Sequence, residues 1–160
     1  MLKGLGLLIN GAAREFQISP TLIAGVILKE SGGVQYATRF EKGFYHTHLE
    51  NALVGDLIGY LPPENLCTLQ TERILRATSF GVMQVLGETM RERTFRGLLP
   101  EFYDPALNIR WGTEFLAHLI KVNKNVREAL LDWNGGGDPN YPAAVMKFVE
   151  DGEATKVLSW

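Results

Sequence analysis

The chain has 160 residues, with 16 Lys and Arg, 18 Asp and Glu and a formal net charge of −2. This length suits one domain over residues 1–160 with a sizeable core, and it is too short for two ordinary domains. The interleaved charges exclude a basic surface for nucleic acid. The chain contains no run of about 18 apolar residues, so we expect no stable membrane insertion. The lone Cys67 excludes an internal disulfide.

The N-terminal part of the chain predicts two helices. The first has apolar residues at helical spacing, namely Leu5, Leu8, Ile9, Ala12 and Phe16. Residues 1–10 also resemble a weak signal peptide, but no small-residue cleavage site follows, so we assign them to this helix. Ser19 and Pro20 supply an N-cap hydroxyl and a proline at the first position of the second helix. That helix ends at Glu30, before Ser31-Gly32-Gly33.

The next segment has weaker patterns. Residues 34–60 mix aromatic and β-branched residues with glycine, which predicts a short strand or hairpin near Tyr36–Phe40 and then a small helix. Pro62-Pro63 predicts the start of a helix through residues 64–77. Cys67 would lie on this helix as a small apolar side chain.

The second half of the chain predicts further helices. After a break at Thr78–Gly81, a helix is predicted around Gly87–Arg93, and the next one follows the Asp104-Pro105 cap. A third helix follows the Asn125 cap and stops at Asn134–Gly137, and the last runs from Asn140 through Glu150. The helix after Asp104 has a strong apolar face, in which Gly112 allows close approach of another element. The whole pattern predicts a mainly α fold with one small irregular or β-containing lobe.

Glu30 stands out because it continues the apolar stripe of the second helix, formed by Ile23, Val26 and Ile27. A carboxyl group there meets an apolar setting and the negative end of the helix dipole, and both disfavour its charged form. A carboxyl group that keeps its proton near neutral pH is what a general acid requires. A solvated glutamate at a frayed helix end fits the same spacing equally well.

Four motifs follow one another along the chain: "KESGG" at 29–33, "ATSFGVMQV" at 77–85, "DPALNIRWGTEFLAHLI" at 104–120 and "ALLDWNGGG" at 129–137. In this order they resemble the lytic transglycosylases of the soluble type, lysozyme-like enzymes that cleave bacterial cell-wall glycan. The resemblance spans residues 10–149, and four ordered motifs are far more specific than any one of them. It implies a lysozyme-like α+β fold, in which a helical body and a small lobe flank a saccharide cleft, with peptidoglycan strands as the partner.

The resemblance also implies roles for individual residues. Glu30 matches the glutamate of the family's Glu-Ser motif, which is the acid and then the base of glycosidic cleavage. Ser31 is its motif neighbour and is expected to bind substrate. The family's Gly-x-Met-Gln turn, which lines the saccharide cleft, matches at Met83 and Gln84, and Ser79 begins this version of the motif. The resemblance therefore implies that Ser79, Met83 and Gln84 bind substrate. Core packing for Met83 and a helix-start hydrogen bond for Gln84 are the alternatives.

The sequence departs from the family pattern in two places. Trp133-Asn134 stands where the family usually has Tyr-Asn, so an indole, which only donates a hydrogen bond, replaces a phenol. Trp133 either stacks on a sugar face or anchors the core. The second departure is the distance between the Glu-Ser and Gly-x-Met-Gln motifs, about fifty residues, in a segment that includes "TRFEKGFYHTHL". That segment resembles one in bacteriophage cell-wall enzymes, including a muramidase group with a second glutamate.

Glu41 is therefore a candidate second catalytic carboxylate. Hydrolysing muramidases need two carboxylates, whereas a lytic transglycosylase needs one, because the sugar's own hydroxyl closes an anhydro ring in place of water. A surface salt bridge of Glu41 with Arg39 or Lys42 is the alternative. We predict an enzyme that breaks the β-1,4 bond between N-acetylmuramic acid and N-acetylglucosamine as a lytic transglycosylase, with Glu30 as general acid and base and with 1,6-anhydro ends on the products. The alternative is a hydrolytic muramidase that uses Glu41 as its second carboxylate.

Several expectations complete this functional prediction. Tyr45 and Trp133 would supply apolar sugar contacts, and Gln84 and Asn134 would hold acetamido or hydroxyl groups by hydrogen bonds. Two other functions compete with this prediction. One is a wall-binding virion module that has no catalytic activity, and the other is an enzyme that cleaves chitin. We predict no metal and no cofactor. His46, His48 and His118 are not spaced as the ligands of a familiar metal site are. We expect a monomer made in the bacterial host cytoplasm without a clear signal peptide, which acts on the cell wall as a released lysin or within a virion.

Overall fold

The computed structural model describes residues 4–159, and these are mainly helical with one small antiparallel sheet. Residues 1–3 of the run that resembles a signal peptide lie outside this range. The helices are α1 (Leu5–Phe16), α2 (Pro20–Ser31), α3 (Lys42–Phe44), α4 (Leu69–Arg76), α5 (Gly87–Glu92), α6 (Pro105–Asn123), α7 (Val126–Trp133), α8 (Tyr141–Glu150) and α9 (Glu153–Val157). The strands are β1 (Thr38–Phe40), β2 (Thr78–Phe80) and β3 (Val85–Leu86). The predicted mainly α, lysozyme-like fold class is confirmed.

Side-chain caps confirm three of the predicted helix starts. The caps are Ser19, Asp104 and Asn125, whose side chains accept backbone N–H groups of the first turns of α2, α6 and α7 at 3.4, 2.9 and 2.7 Å. Prolines occupy the first positions of α2 and α6. Each cap satisfies a backbone donor that has no partner within its helix, so a local polar signal is enough to set the boundary.

The helical core is centred on α2. Its residues Leu22–Ile27 are all buried, because α2 packs against α1, α8 and α9 while α6 packs against α1 and α7. A helix buried on nearly every side needs apolar residues all round, which accounts for its sequence. Gly32 ends the helix in a left-handed conformation, with φ of 63°, and Glu30 is left half-buried in its last turn.

The small lobe is built around the sheet. β2 lies between β1 and β3 and pairs antiparallel with both, so that Arg39 of β1 lies opposite Ser79 of β2. The strand predicted near Tyr36–Phe40 is confirmed as β1, and its partner is a distant segment and not the other arm of a local hairpin. A second apolar cluster supports this lobe and consists of Tyr45, Leu49, Leu57 and Ala77.

The prediction of a helix beginning at Pro62-Pro63 is wrong. The chain makes only one turn after the two prolines, in which the carbonyl oxygen of Pro63 accepts the N–H of Cys67 at 3.1 Å. α4 begins at Leu69, where the Thr68 hydroxyl accepts the N–H of Thr71 at 3.2 Å, a cap that prolines cannot supply. Cys67 is buried but precedes this helix. α9 is absent from the sequence prediction because so short a helix shows no clear apolar period.

A buried network of charges joins α4 to α5. Glu72, Arg76 and Arg91 are at most 1% exposed. Glu72 accepts hydrogen bonds from Arg76 at 3.0 Å and from Arg91 at 2.7 Å, and Glu88 accepts from Arg76 at 3.1 Å. Burial raises the pKa of Glu88 above its ordinary value, and the charge of Arg76 opposes this shift. Both arginines also donate to backbone carbonyls, so the charges are paired and hydrogen-bonded, which burial of ions requires.

The turn between β2 and β3 is held by α6. Asn108 is fully buried, accepts the N–H of Met83 at 2.9 Å and donates to two backbone carbonyls at 2.8 and 3.0 Å. Gly81 has a φ of 70°, and a Cβ there would lie 2.6 Å from the Asn108 side chain. A Cβ on Gly112 would lie 2.7 Å from the Met83 sulfur. Gly112 therefore provides the close approach that the sequence predicts.

Candidate active site

A cavity of about 430 Å³ opens where α2 ends, beside the sheet and the end of α7. This volume lies within the range of about 300–1,000 Å³ that is usual for ligand sites. Its lining combines acidic, basic, amide and aromatic side chains, and the residues include Glu30, Arg39, Glu41, Phe44, Ser79, Gln84, Phe115, Asp132, Trp133 and Asn134. The structure thus brings both predicted catalytic carboxyl groups to one cavity, together with four of the predicted substrate-binding residues.

Glu30 is held in place by two hydrogen bonds to the same carboxyl oxygen. The indole nitrogen of Trp133 donates to Oε1 at 3.1 Å, and the hydroxyl of Tyr141 donates to Oε1 at 2.6 Å. Burial, then the charge of Glu30 and the hydrogen bond to it, raise the pKa of Tyr141. The hydroxyl therefore keeps its proton and acts as a donor.

Tyr141 is a site residue that sequence reasoning missed. It is the first residue of α8, and its only signal in the sequence is its position before a proline at a helix start. The change from Tyr-Asn to Trp133-Asn134 suggested that the site loses a phenol beside the acid. The structure shows that a phenol from α8 lies beside Glu30 together with the indole.

Glu41 lines the same cavity and accepts two hydrogen bonds at Oε1. Arg39 donates from Nε at 2.6 Å, and Ser79 donates from its hydroxyl at 3.0 Å. The salt bridge considered as an alternative from the sequence is therefore present, and it lies at the cavity and not on a remote surface. Ser79 faces Glu41 because β1 and β2 pair in the register that sets Arg39 opposite Ser79.

Gln84 and Asn134 contribute amide groups to the cavity. Gln84 has a left-handed backbone conformation, with φ of 48°, which is uncommon for a residue with a side chain and is often found at functional sites. Its amide nitrogen donates to the carbonyls of Ala37 and Gly81, both at 2.9 Å. These bonds hold the side chain in the turn, so the helix-start hydrogen bond considered from the sequence is not its role.

Three residues predicted to bind substrate are not among those that line the cavity. Ser31 donates to a backbone carbonyl of the β2–β3 turn at 2.7 Å and ties α2 to it. Met83 is fully buried against α6, which corresponds to the core-packing alternative. Tyr45 is buried in the second apolar cluster, and its hydroxyl accepts a hydrogen bond from Gln70 at 2.7 Å. Phe44, which precedes Tyr45 in the chain, lines the cavity.

Within residues 4–159, no group of three or more His, Cys, Asp or Glu side chains lies close enough together to hold a metal ion. The His46 ring instead forms a hydrogen bond with Glu50 at 2.9 Å on the surface. None of the helices described is both long and apolar enough to cross a membrane.

A mainly helical fold with a small sheet, and a cleft into which a half-buried, hydrogen-bonded carboxyl group projects, define a lysozyme-like protein. The model of the family described as Transglycosylase SLT domain matches residues 7–143. The chain therefore belongs to the SLT transglycosylase domain family and is a peptidoglycan lytic enzyme that cleaves glycosidic bonds in the cell wall. No curated protein and no solved structure gives a significant match.

Proposed function

We propose that this enzyme cleaves the β-1,4 bond between N-acetylmuramic acid and N-acetylglucosamine and leaves 1,6-anhydro ends, with Glu30 as general acid and then base. The observation that carries the proposal is the position of Glu30 in the cavity, with one carboxyl oxygen held by Trp133 and Tyr141. Glycosidic cleavage needs a positioned carboxyl group that can deliver a proton to the leaving oxygen.

The two donors determine which carboxyl oxygen carries the acidic proton. The indole N–H of Trp133 can only donate, and the hydroxyl of Tyr141 donates because its pKa is raised by burial and by the neighbouring Glu30. Both therefore require Oε1 as an acceptor, and the proton of the neutral acid belongs on Oε2. Oε2 has no hydrogen-bond partner within residues 4–159, so it is available to the substrate.

The reaction then follows in two proton transfers. Glu30 gives its proton to the glycosidic oxygen, the bond from that oxygen to C1 of N-acetylmuramic acid breaks, and N-acetylglucosamine leaves as an alcohol. The carboxylate of Glu30 next removes the proton from the 6-hydroxyl of the muramic residue as its O6 bonds to C1. This step closes the 1,6-anhydro ring and returns the acid to its starting form without a second carboxylate.

The remaining cavity residues supply the sugar contacts in this proposal. The amide nitrogen of Gln84 is bonded to two carbonyls, so its oxygen is left to accept an N–H or O–H of the sugar. Asn134, at the end of α7, offers a second amide for acetamido or hydroxyl groups. The rings of Phe44 and Trp133 add apolar surface on which a sugar face can pack.

The alternative is a hydrolase in which Glu41 acts as the second carboxylate, and the position of Glu41 in the same cavity supports it. Arg39 and Ser79 both donate to Glu41, and these bonds suit a carboxylate that holds Arg39 by an ion pair. A hydrolase would also use the ionised form of Glu41, so these bonds do not separate the two reactions. We favour a transglycosylase because the matching family is described as Transglycosylase SLT domain, and in that reaction Glu41 is not required to activate water.

Digestion of purified murein distinguishes the two reactions. We expect mass spectrometry to show soluble fragments that end in 1,6-anhydromuramic acid, each lighter by one water than the hydrolytic product. A digest of the same murein with a hydrolytic muramidase provides the reference masses. Fragments with reducing muramic ends would reject the transglycosylase and favour the hydrolase.

Tyr141→Phe should lower kcat by about 10- to 100-fold, because it removes one of the two hydrogen bonds that hold the carboxyl group of Glu30. KM should change little, since the Tyr141 hydroxyl bonds Glu30 and is absent from the cavity lining. The acidic or basic limb of the pH profile of kcat should also shift, which a purely structural role would not cause.

Tyr103→Phe is the matched control for this change. Its hydroxyl also forms a 2.6 Å hydrogen bond, with Thr38, but Tyr103 is not a cavity residue. We expect its kcat and pH profile to match those of the wild type. An unchanged pH profile and kcat in Tyr141→Phe would remove Tyr141 from the positioning of the acid.

A further inference from the structure

Among residues 4–159, Arg39 is the only basic residue that lines the cavity. The other charged residues of the lining are acidic, namely Glu30, Glu41 and Asp132. The ion pair with Glu41 uses only Nε of this guanidinium, and the remaining N–H groups of Arg39 are left for a ligand. The position of Arg39 therefore points to a negatively charged group on the substrate.

The guanidinium of Arg39 is held by Glu41 at Nε, which leaves its two Nη atoms available. Its Nε donates to Glu41 Oε1 at 2.6 Å, and Ser79 bonds the same oxygen at 3.0 Å, which fixes the carboxylate that orients the arginine. The Arg39 side chain is 59% exposed, and within residues 4–159 its two Nη atoms have no hydrogen-bond partner. Two parallel N–H groups in this arrangement match the geometry of a carboxylate.

Arg39 also lies within electrostatic reach of the catalytic centre. Burial and the charge of Glu30 raise the pKa of Tyr141, and the charge of Arg39 acts on the same hydroxyl in the opposite direction. That hydroxyl is 2.6 Å from Glu30. Arg39 and Glu30 also line the same cavity, so a group bound by Arg39 belongs to the strand that occupies this cavity.

We propose that Arg39 binds a carboxylate carried by the muramic residue of the glycan strand and so selects muramic acid over N-acetylglucosamine at that subsite. The carboxylate is either the free lactyl group of a peptide-free strand or a carboxylate of an attached stem peptide. N-acetylglucosamine has no carboxyl group, so a chitin strand cannot make this contact. The proposal rests on the proposed peptidoglycan-cleaving function and adds a specificity determinant to it.

The test compares kcat/KM on two strands, each in its acid form and after its carboxylates have been converted to neutral amides. One strand is peptide-free glycan with lactyl carboxylates, and the other is peptide-bearing glycan, in which the carboxylates belong to the stem. We expect the wild type to prefer the acid form of at least one strand by about tenfold. Arg39→Gln should remove this preference, and Arg39→Lys, which keeps the charge but loses the fork, should retain part of it.

Lys42→Gln is the matched control, because Lys42 is an exposed cation of the same segment that does not line the cavity. It should show the wild-type preference. A thermal melt of each variant checks that folding is unchanged, as expected for a side chain as exposed as Arg39.

The outcomes separate the sources and the hypotheses. Loss of preference on the peptide-free strand assigns the lactyl carboxylate, and loss on the peptide-bearing strand assigns the stem peptide. A wild type without preference, or an Arg39→Gln variant that loses the same factor on acid and amide forms, overturns the proposal while leaving the cleavage reaction intact. If the wild type cleaves none of the strands, the proposed function itself fails, and this inference fails with it.

Discussion

Glu30→Gln should lower kcat on purified murein by about 100- to 10,000-fold, because an amide cannot deliver the proton that the leaving oxygen requires. Glutamine keeps the size of the side chain and an oxygen that can accept from Trp133 and Tyr141. The thermal unfolding midpoint should therefore stay close to that of the wild type. The measurement is the initial rate of release of soluble fragments, normalised to folded protein.

Glu128→Gln is the control for this substitution. Glu128 lies on the exposed surface of α7, where it pairs with Arg127, and it does not line the cavity. Its rate should equal that of the wild type. Glu30→Gln with substantial activity would exclude Glu30 as the general acid and would direct attention to Glu41.

Glu72→Gln should destabilise the protein by about 3–5 kcal/mol, because it removes the charge that both Arg76 and Arg91 contact in the buried network. Arg91 then loses its carboxylate partner and Arg76 keeps only Glu88, and water cannot replace the lost charge because all three side chains are at most 1% exposed. For a chain of this size the loss corresponds to a fall in Tm of about 10 °C. Urea denaturation gives the free energy of unfolding, and calorimetry gives Tm.

Glu15→Gln provides the comparison with an exposed ion pair. Glu15 contacts Arg110 at 2.7 Å, but both side chains are about half exposed, so this change should cost less than about 1 kcal/mol. Equal losses in the two variants would mean that burial does not strengthen the network around Glu72. That result would contradict the expectation that the network anchors α4 to α5.

Helix boundaries are the part of the fold that local sequence predicts well. The caps at Ser19, Asp104 and Asn125 act on backbone groups within three residues, so their effect is visible in the sequence itself. The segment after Pro62-Pro63 shows the limit of such signals. Two helix starts compete there, and the one at Thr68 prevails because its hydroxyl completes the cap.

The sheet depends on contacts between distant segments. β1 was predicted as a strand from its local composition, but its register with β2 was not, although that register brings Ser79 to Glu41. The buried network of Glu72, Arg76 and Arg91 likewise has no sequence signal, because charged residues on short helices resemble a solvated surface.

Local sequence is enough to predict most of the helical body, the carboxyl group on the apolar stripe at Glu30 and the ordered motifs that match the family, since periodicity, capping and motif order are properties of neighbouring residues. The groups that surround the carboxyl of Glu30 depend instead on how distant segments pack together. Tyr141 donates to Glu30 from 111 residues away, and Arg39 reaches the same cavity through the register of the sheet. Such contacts arise when α8 packs on α2 and β1 pairs with β2, and no spacing along the chain encodes them.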